Sequence, residues 1–306
     1  MSSNVKNKFV VLDQTSLIEV QGEDHIEFLQ GQLTQDIKLL TQNQAKFAGF
    51  CNPKGRLLAF MLAYGHDNAI HIQIDKSIEE SMLKRLRMYV LRSKVSIQSI
   101  SDQFTQIGFI GSEALTKLNI HAPQNFLEIT MSHDVMIMRV SKNTERYQLI
   151  GKNLAIDAFM KFALSEYTSM SIDEWNNLSI LDGIPEIFPS TQESFIPQSI
   201  NMDLVDGINF KKGCYTGQEI VARTHYLGKV KRRMYRVSFE SDDHLTPGDL
   251  ILNEKEEEIG QLVRSAKEGG KKINALIELR VDQAHEALYI KHHLIHIFPE
   301  DQIRFD

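Results

Sequence analysis

A nine-residue segment, Lys211-Lys212-Gly213-Cys214-Tyr215-Thr216-Gly217-Gln218-Glu219, places one of the chain's two cysteines in a setting that favours its thiolate form. Thr216 and Glu219 have the spacing of a capping box that opens a helix, so Cys214 would lie just before a helix N-terminus. The partial positive charge there and the preceding lysines both favour an anion. We predict that Cys214 is a reactive thiol assisted by Lys212; the alternative is a small buried residue at a turn.

The octet from Lys212 to Glu219, with Arg223 after it, resembles the signature of the YgfZ family of folate-binding proteins, relatives of the glycine-cleavage T-protein (aminomethyltransferase). An octet of this complexity is far more specific than a lone glycine pattern. Further segments resemble that family's landmarks in the same order, at 28–36, 51–56, 89–95 and 195–198. The resemblance spans about residues 10 to 236. It implies an aminomethyltransferase-like folate-binding body of two intertwined α+β subdomains with a small C-terminal β-barrel.

Hydrophobic periodicity by itself indicates a mixture of helices and strands, which is the α+β class. The predicted strands before residue 227 lie at 16–20, 69–74, 134–140 and 147–150, and the predicted helices at 22–33, 77–90, 154–164 and 171–183. Capping boxes are predicted at Ser77 with Glu80 and at Ser171 with Glu174. The strand-like segments after residue 227 lie at 230–239, 249–252, 258–263, 273–279 and 287–298. Beyond residue 227, short alternating segments separated by turn residues are typical of a small β-barrel or sandwich. We predict a folate-binding domain over 1–227 and a β-barrel domain over 228–306.

The resemblance also implies candidate residues for binding tetrahydrofolate or a one-carbon derivative of it. Trp175, the only tryptophan of the chain, matches an aromatic residue that lines the family's folate site. The family's second tryptophan aligns with Thr15, so one of the two aromatic residues that would enclose the folate is absent at that position. The other candidates are in or just after the signature: Tyr215, Gln218, Glu219 and Arg223. The alternative for Trp175 is an anchor of the hydrophobic core.

Two departures from the T-protein bear on catalysis. Its glutamate before Ala-Gly is replaced by Leu181-Asp182-Gly183, and its paired acids fall on Ala59 and Phe60. Both losses argue against aminomethyl transfer from glycine. Asp203 and Asp206 could still bind a pterin edge or an amine, although the same residues suit a turn.

Two basic clusters, at 84–94 and 229–233, could bind the polyglutamate tail of folate or an RNA backbone. A charged face exposed to solvent is the alternative for both clusters. The second cluster directly follows the signature helix and is therefore the stronger candidate for an anion site.

Cys51 precedes the turn-forming residues 52–56, so it could pair in space with Cys214 or simply pack beside the turn. His292 and His296 would share one face if 287–298 were a single strand. Since no carboxylate or thiol accompanies these histidines, we predict no metal site.

Composition describes an ordinary globular protein: 306 residues, 42% hydrophobic and 24% charged. The net charge of −6 provides no overall attraction for nucleic acid or membrane, which leaves direct nucleic-acid binding open. Two distant cysteines, a polar start and no long apolar run predict a cytoplasmic protein without a membrane span. We expect a monomer.

The resemblance implies a function: binding tetrahydrofolate and supporting iron–sulfur cluster assembly and iron–sulfur enzymes, among them a tRNA methylthiotransferase. One alternative is a folate-dependent aminomethyl or methyl transferase that acts on a small amine or on tRNA. Another is a non-catalytic scaffold that docks iron–sulfur proteins. Because no residue is an obvious general acid or base, the sequence leaves open whether the protein is an enzyme.

Overall fold

A computed structural model describes residues 7–40, 42–132 and 134–302 of the chain. The chain forms two compact units, each assembled from separate segments. Of the described residues, unit 1 comprises those within 7–28, 38–46 and 62–175, and unit 2 comprises those within 29–37, 47–61 and 176–302. The predicted α+β class with intertwined subdomains is confirmed. Since unit 2 groups 228–306 with earlier segments, a separate domain over 228–306 stays a prediction.

The described strands and helices follow in chain order. The strands are β1 Lys8–Val11, β2 Thr15–Gln21, β3 Lys46–Cys51, β4 Leu57–His66, β5 Ala69–Asp75, β6 Ser96–Ser99, β7 Phe104–Ile110, β8 Ile129–Ser132, β9 Val135–Arg139, β10 Arg146–Lys152, β11 Thr168–Ser169, β12 Arg232–Glu240, β13 Leu250–Leu252, β14 Glu258–Gly269, β15 Lys272–Arg280, β16 Leu288–Ile290 and β17 His293–Ile297. The α-helices are α1 His25–Gln30, α2 Glu79–Met88, α3 Glu113–Lys117, α4 Asn153–Glu166, α5 Ile172–Leu181, α6 Gln218–Tyr226 and α7 Pro299–Gln302. None of the helices in the described ranges combines the length and the apolarity needed to cross a membrane.

Unit 1 contains a six-stranded sheet in the order β11-β1-β7-β10-β9-β8. Its apolar core includes Phe109, which stacks on Tyr147 at a centroid distance of 5.2 Å and also contacts Phe159 of α4. A second group of strands in this unit pairs in antiparallel fashion. The C-terminal half of β4 pairs with β5, β5 pairs with β2, and β2 pairs with β6. The buried runs of apolar side chains along these strands explain why they form sheets.

Unit 2 contains a closed barrel in the order β12-β15-β14-β13-β16-β17, which confirms the predicted C-terminal β-barrel. Alternate residues of β12, such as Tyr235 and Val237, are buried in its core. β14 is longer than predicted and contains two register shifts, at Leu262/Arg264 and Lys267/Gly269. Such irregularities bend a strand and help a sheet to close.

The structure corrects three sequence-based predictions about local geometry. His292 has a φ of +70° in the turn between β16 and β17, so it does not share a strand face with His296. The helix predicted over 22–33 is confined to α1. The capping box predicted at Ser77 is replaced by the carboxylate of Asp75, which accepts a hydrogen bond from the Ser77 amide at 2.9 Å.

The capping box predicted at the start of α5 is confirmed. The Ser171 amide donates to the Glu174 carboxylate at 2.8 Å, and the Glu174 amide donates to the Ser171 hydroxyl at 3.1 Å. Both orphan donors at this helix end are satisfied, which fixes the helix that carries Trp175.

Candidate functional site

The signature loop, residues 211–217, is anchored by the side chain of Lys212. Its Nζ donates hydrogen bonds to the carbonyls of Gln30, Leu33 and Gln35 at 2.7, 2.6 and 2.9 Å. These bonds use all three donors of an ammonium group. Burial lowers the pKa of Lys212 to about 8, and the charge of Asp36 opposes that shift. The amine is therefore largely protonated at neutral pH and ties the loop to segment 29–37.

This placement limits how Lys212 can act on the neighbouring cysteine. With its three donors committed to backbone carbonyls, the ammonium is not placed to donate a hydrogen bond to the Cys214 thiol. The predicted part of Lys212 in thiol chemistry stays a prediction. The three hydrogen bonds also give Lys212 a structural role as the anchor of the loop, which the sequence did not suggest.

The helix after the signature loop begins one residue later than a Thr216 cap requires. α6 starts at Gln218, its N-cap is Gly217 with φ +83°, and no side chain caps it. The capping box predicted for Thr216 and Glu219 is therefore wrong. A left-handed backbone favours glycine at the cap, and the Thr216 amide donates instead to the carbonyl of Gly31 at 3.2 Å.

The turn after Cys51 packs directly against the signature loop. A Cβ added to Gly217 would lie 2.5 Å from the Asn52 carbonyl oxygen, 2.9 Å from the Gly55 Cα and 3.1 Å from the Cys51 Cβ. The Asn52 side chain shapes this turn by accepting hydrogen bonds from the amides of Lys54 and Arg56 at 2.9 and 3.0 Å. Two sequence motifs that are far apart in the chain thus meet backbone to backbone at Gly217.

The two cysteines are free thiols in opposite surroundings. Cys214 is exposed, which excludes the alternative of a small buried residue, whereas Cys51 is 1% exposed. Burial raises the pKa of Cys51 to about 12. Burial, and secondly the nearby Cys51, raise the pKa of Tyr215, so that residue lies beside Cys51 as a neutral phenol. Cys214 is accordingly the thiol available for chemistry.

Replacing Gly217 with alanine should separate these two motifs. The new methyl group would meet backbone atoms at 2.5 and 2.9 Å and would sit on a backbone with positive φ, so we expect a loss of about 2 kcal/mol or more in the free energy of unfolding. Chemical denaturation measures this loss. Gly213→Ala is the matched control in the same loop, because nothing lies within 4 Å of its added Cβ. Equal stability of the two variants would contradict the close contact.

The predicted folate contacts of the signature lie in unit 2 around α6. Tyr215 is buried, with its ring centroid 5.0 Å from the Lys212 Nζ. Gln218 is half-buried, and Glu219 and Arg223 are exposed. An amide and a guanidinium are donors that suit a pterin ring and a carboxylate tail, so this donor set fits a folate.

The other two predicted folate contacts, Trp175 and Thr15, belong to unit 1. Trp175 is 6% exposed; a Cβ added to Gly108 would lie 2.7 Å from its ring, and the Arg146 guanidinium carbon lies 4.9 Å from the ring centroid. A stacked pterin would have to displace one of these neighbours. Thr15 is half-buried, and its hydroxyl donates to the Leu12 carbonyl at 2.9 Å. The binding roles of both residues stay predictions.

The structure gives Asp203 and Asp206 structural contacts. The Asp203 carboxylate accepts two hydrogen bonds from Arg233, at 2.7 and 2.9 Å. The backbone carbonyl of Asp206 accepts a hydrogen bond from the side-chain amide of Gln35, a buried residue, at 2.6 Å. The hydroxyl of Thr34, also fully buried, donates to the Gly207 carbonyl at 2.6 Å.

Sequence reasoning missed Thr34 and Gln35, whose side chains hold the segment that precedes the signature loop. Their signal was the segment Gly31-Gln32-Leu33-Thr34-Gln35-Asp36, where polar residues follow an apolar helix face without forming a typical turn. Buried polar side chains need hydrogen-bond partners, and here those partners are backbone groups of 206–207.

The chain is similar to known proteins in both sequence and fold. The family model described as GCVT N-terminal domain matches residues 2–151. A protein named tRNA-modifying protein YgfZ from Blochmanniella pennsylvanica is 32% identical over 78% of this chain and 73% of its own. Its namesake from Aliivibrio fischeri strain ES114 is 34% identical over 78% and 74%. The crystal structure of glycine cleavage system aminomethyltransferase T from Bartonella henselae superimposes with a TM-score of 0.75 at 11% identity, covering 98% of this chain and 88% of that one, which shows a shared fold.

Proposed function

The chain belongs to the YgfZ family, and from that premise we propose that it binds tetrahydrofolate or a one-carbon derivative and supports iron–sulfur enzymes that modify tRNA, a tRNA methylthiotransferase among them. The observation that carries the proposal is the exposed thiol of Cys214 on a loop fixed by Lys212 and Gly217. The relatives' name supports the tRNA part, and the aminomethyltransferase fold supports the folate part.

A thiol presented in this way suits redox and iron–sulfur chemistry. Thiolates are soft ligands for iron and good nucleophiles, and exposure is required for either use. The rigid loop keeps the sulfur in one place, because both its ends are tied to other segments of unit 2. We place this role in the cytoplasm, where thiols remain reduced.

Aminomethyl transfer from glycine is not part of the proposal. Ala59 and Phe60, which stand where the T-protein resemblance expects its paired acids, are both buried in β4. The other acidic candidate, Asp203, already accepts two hydrogen bonds from Arg233. These contacts favour a supporting protein over a glycine-cleavage enzyme.

Complementation of a deletion strain tests the proposal. Cells without the protein should contain less methylthiolated tRNA, measured by mass spectrometry of digested tRNA, and the wild-type gene should restore it. Cys214→Ser should fail to restore it although the variant accumulates normally. Full restoration by Cys214→Ser would refute the role of the thiol. Cys51→Ala is the matched control: it removes the other sulfur from a buried position and should restore modification, and its failure would indicate that the two cysteines act together.

A further inference from the structure

We propose that the C-terminal end of α6, together with the cleft beside it, is a contact site for single-stranded RNA. The inference rests on the proposed function for the identity of that RNA, a tRNA, and on the following contacts for the site itself. All of its residues belong to unit 2.

The cleft has a volume of about 720 Å³, and more cationic than anionic side chains line it. Its lining residues are Lys229, Val230, Lys231, Arg232, Arg280, Val281 and Asp282. Four of these side chains carry a positive charge and one a negative charge. A hydrogen bond of 3.0 Å from the Val281 amide to the Lys231 carbonyl joins the two sides of the cleft.

Two of the four cations are already neutralised, and two are not. Arg280 pairs with Asp282 at 2.8 Å, and Arg232 pairs with the buried Glu278 at 2.7 Å. Lys229 and Lys231 are exposed, and neither forms an ion pair with any residue that the structure describes. In a chain with net charge −6, two exposed lysines without an ion-pair partner among the described residues suit an anion that binds from solvent.

An aromatic cluster lies at the end of α6 next to these lysines. The rings of Phe210 and His225 stack with centroids 3.7 Å apart and an interplanar angle of 11°. Tyr226 meets both rings edge-on, at 6.3 and 4.7 Å, and is 64% exposed. An aromatic residue this exposed beside free cations offers a face on which a nucleobase can stack.

Short distances along the chain join the aromatic cluster, the cleft and Cys214. Tyr226 is the last residue of α6, and Lys229 lies three positions further along the chain, a span of at most about 11 Å. α6 itself has nine residues, about 14 Å, and leads back to Gly217 beside the signature loop. An RNA strand held at Tyr226 therefore lies within about 30 Å of the Cys214 thiol.

The combination of groups favours RNA over the other anions that cations attract. A folate polyglutamate tail would use Lys229 and Lys231 but would leave the exposed ring of Tyr226 without a role. Single-stranded nucleic acid uses both, because phosphates bind the lysines and bases stack on aromatic rings.

Fluorescence anisotropy of a labelled tRNA anticodon stem-loop, titrated with the full chain, tests the site. We expect the double variant Lys229→Ala/Lys231→Ala to bind about tenfold more weakly, and the slope of log K against log salt to fall by about 1.4. The matched control, Lys255→Ala/Lys267→Ala, removes two exposed lysines elsewhere on unit 2 and should bind like the wild type. Tyr226→Ala should weaken binding about fivefold or more, and Tyr226→Phe should not, because it keeps the ring.

Three results would overturn the proposal: no binding by the wild-type chain, equal loss in both lysine pairs, or competition by polyglutamylated folate with an unchanged Tyr226→Ala affinity. The last result would assign the cleft to a carboxylate tail. Thermal melting of each variant confirms that it is folded. Failure of this site is distinguishable from failure of the proposed function, since Cys214→Ser would still abolish tRNA modification in cells if only the RNA site were wrong.

Discussion

Iodoacetamide is expected to alkylate Cys214 while Cys51 stays unmodified. The Cys51 side chain is 1% exposed, and its pKa of about 12 leaves about one part in ten thousand as thiolate at pH 8. Cys214 is exposed to the reagent. Peptide mapping by mass spectrometry at that pH should therefore show one added group per chain, on Cys214, with a selectivity of at least about a hundredfold in rate.

Two controls make the alkylation result decisive. The Cys214→Ser protein should gain no label while folded, and both cysteines of the wild type should react once the protein is unfolded in denaturant. Comparable labelling of Cys51 in the folded protein would show that the turn at 52–56 opens readily. It would contradict the tight packing of Gly217 against Asn52 and Gly55.

Lys212→Met should destabilise the protein by about 3 kcal/mol or more. The substitution keeps an apolar stem but removes the ammonium, which leaves the carbonyls of Gln30, Leu33 and Gln35 without this donor inside the protein. Each buried acceptor left unsatisfied costs about 1–3 kcal/mol. Urea denaturation followed by circular dichroism measures the free energy of unfolding.

Lys211→Met is the matched control for this prediction. Lys211 is adjacent in sequence and exposed, so the substitution should change the free energy of unfolding by about 0.5 kcal/mol or less. If Lys212→Met were as stable as Lys211→Met, the three hydrogen bonds would contribute little to stability, and Lys212 would not be the anchor of the loop. A large loss of stability with Lys212→Met identifies the residue first as the anchor of the loop.

Much of the fold could be predicted because it depends on local patterns. Period-two alternation located the barrel strands β12 to β15 but merged β16 and β17 into one segment, 287–298, and the i, i+3 and i, i+4 spacing located α2 and α4. The Ser171 capping box was predicted correctly, since both of its partners lie within one helical turn. Helix ends that depend on the backbone rather than on side chains were missed, as at Gly217, where a left-handed residue takes the cap position.

The candidate site divides in the same way. Residue types alone identified Cys214 as the thiol of interest and 229–233 as a possible anion site. Only the tertiary structure decided that Lys212 serves as an anchor, that Cys51 is buried beside Tyr215 and that Tyr226 is exposed next to Lys229. The physical reason is that the groups which bind Lys212 are backbone carbonyls of 30–35, about 180 residues earlier in the chain. Every residue carries such a carbonyl, so residue types in the sequence cannot indicate which carbonyls will accept hydrogen bonds from Lys212.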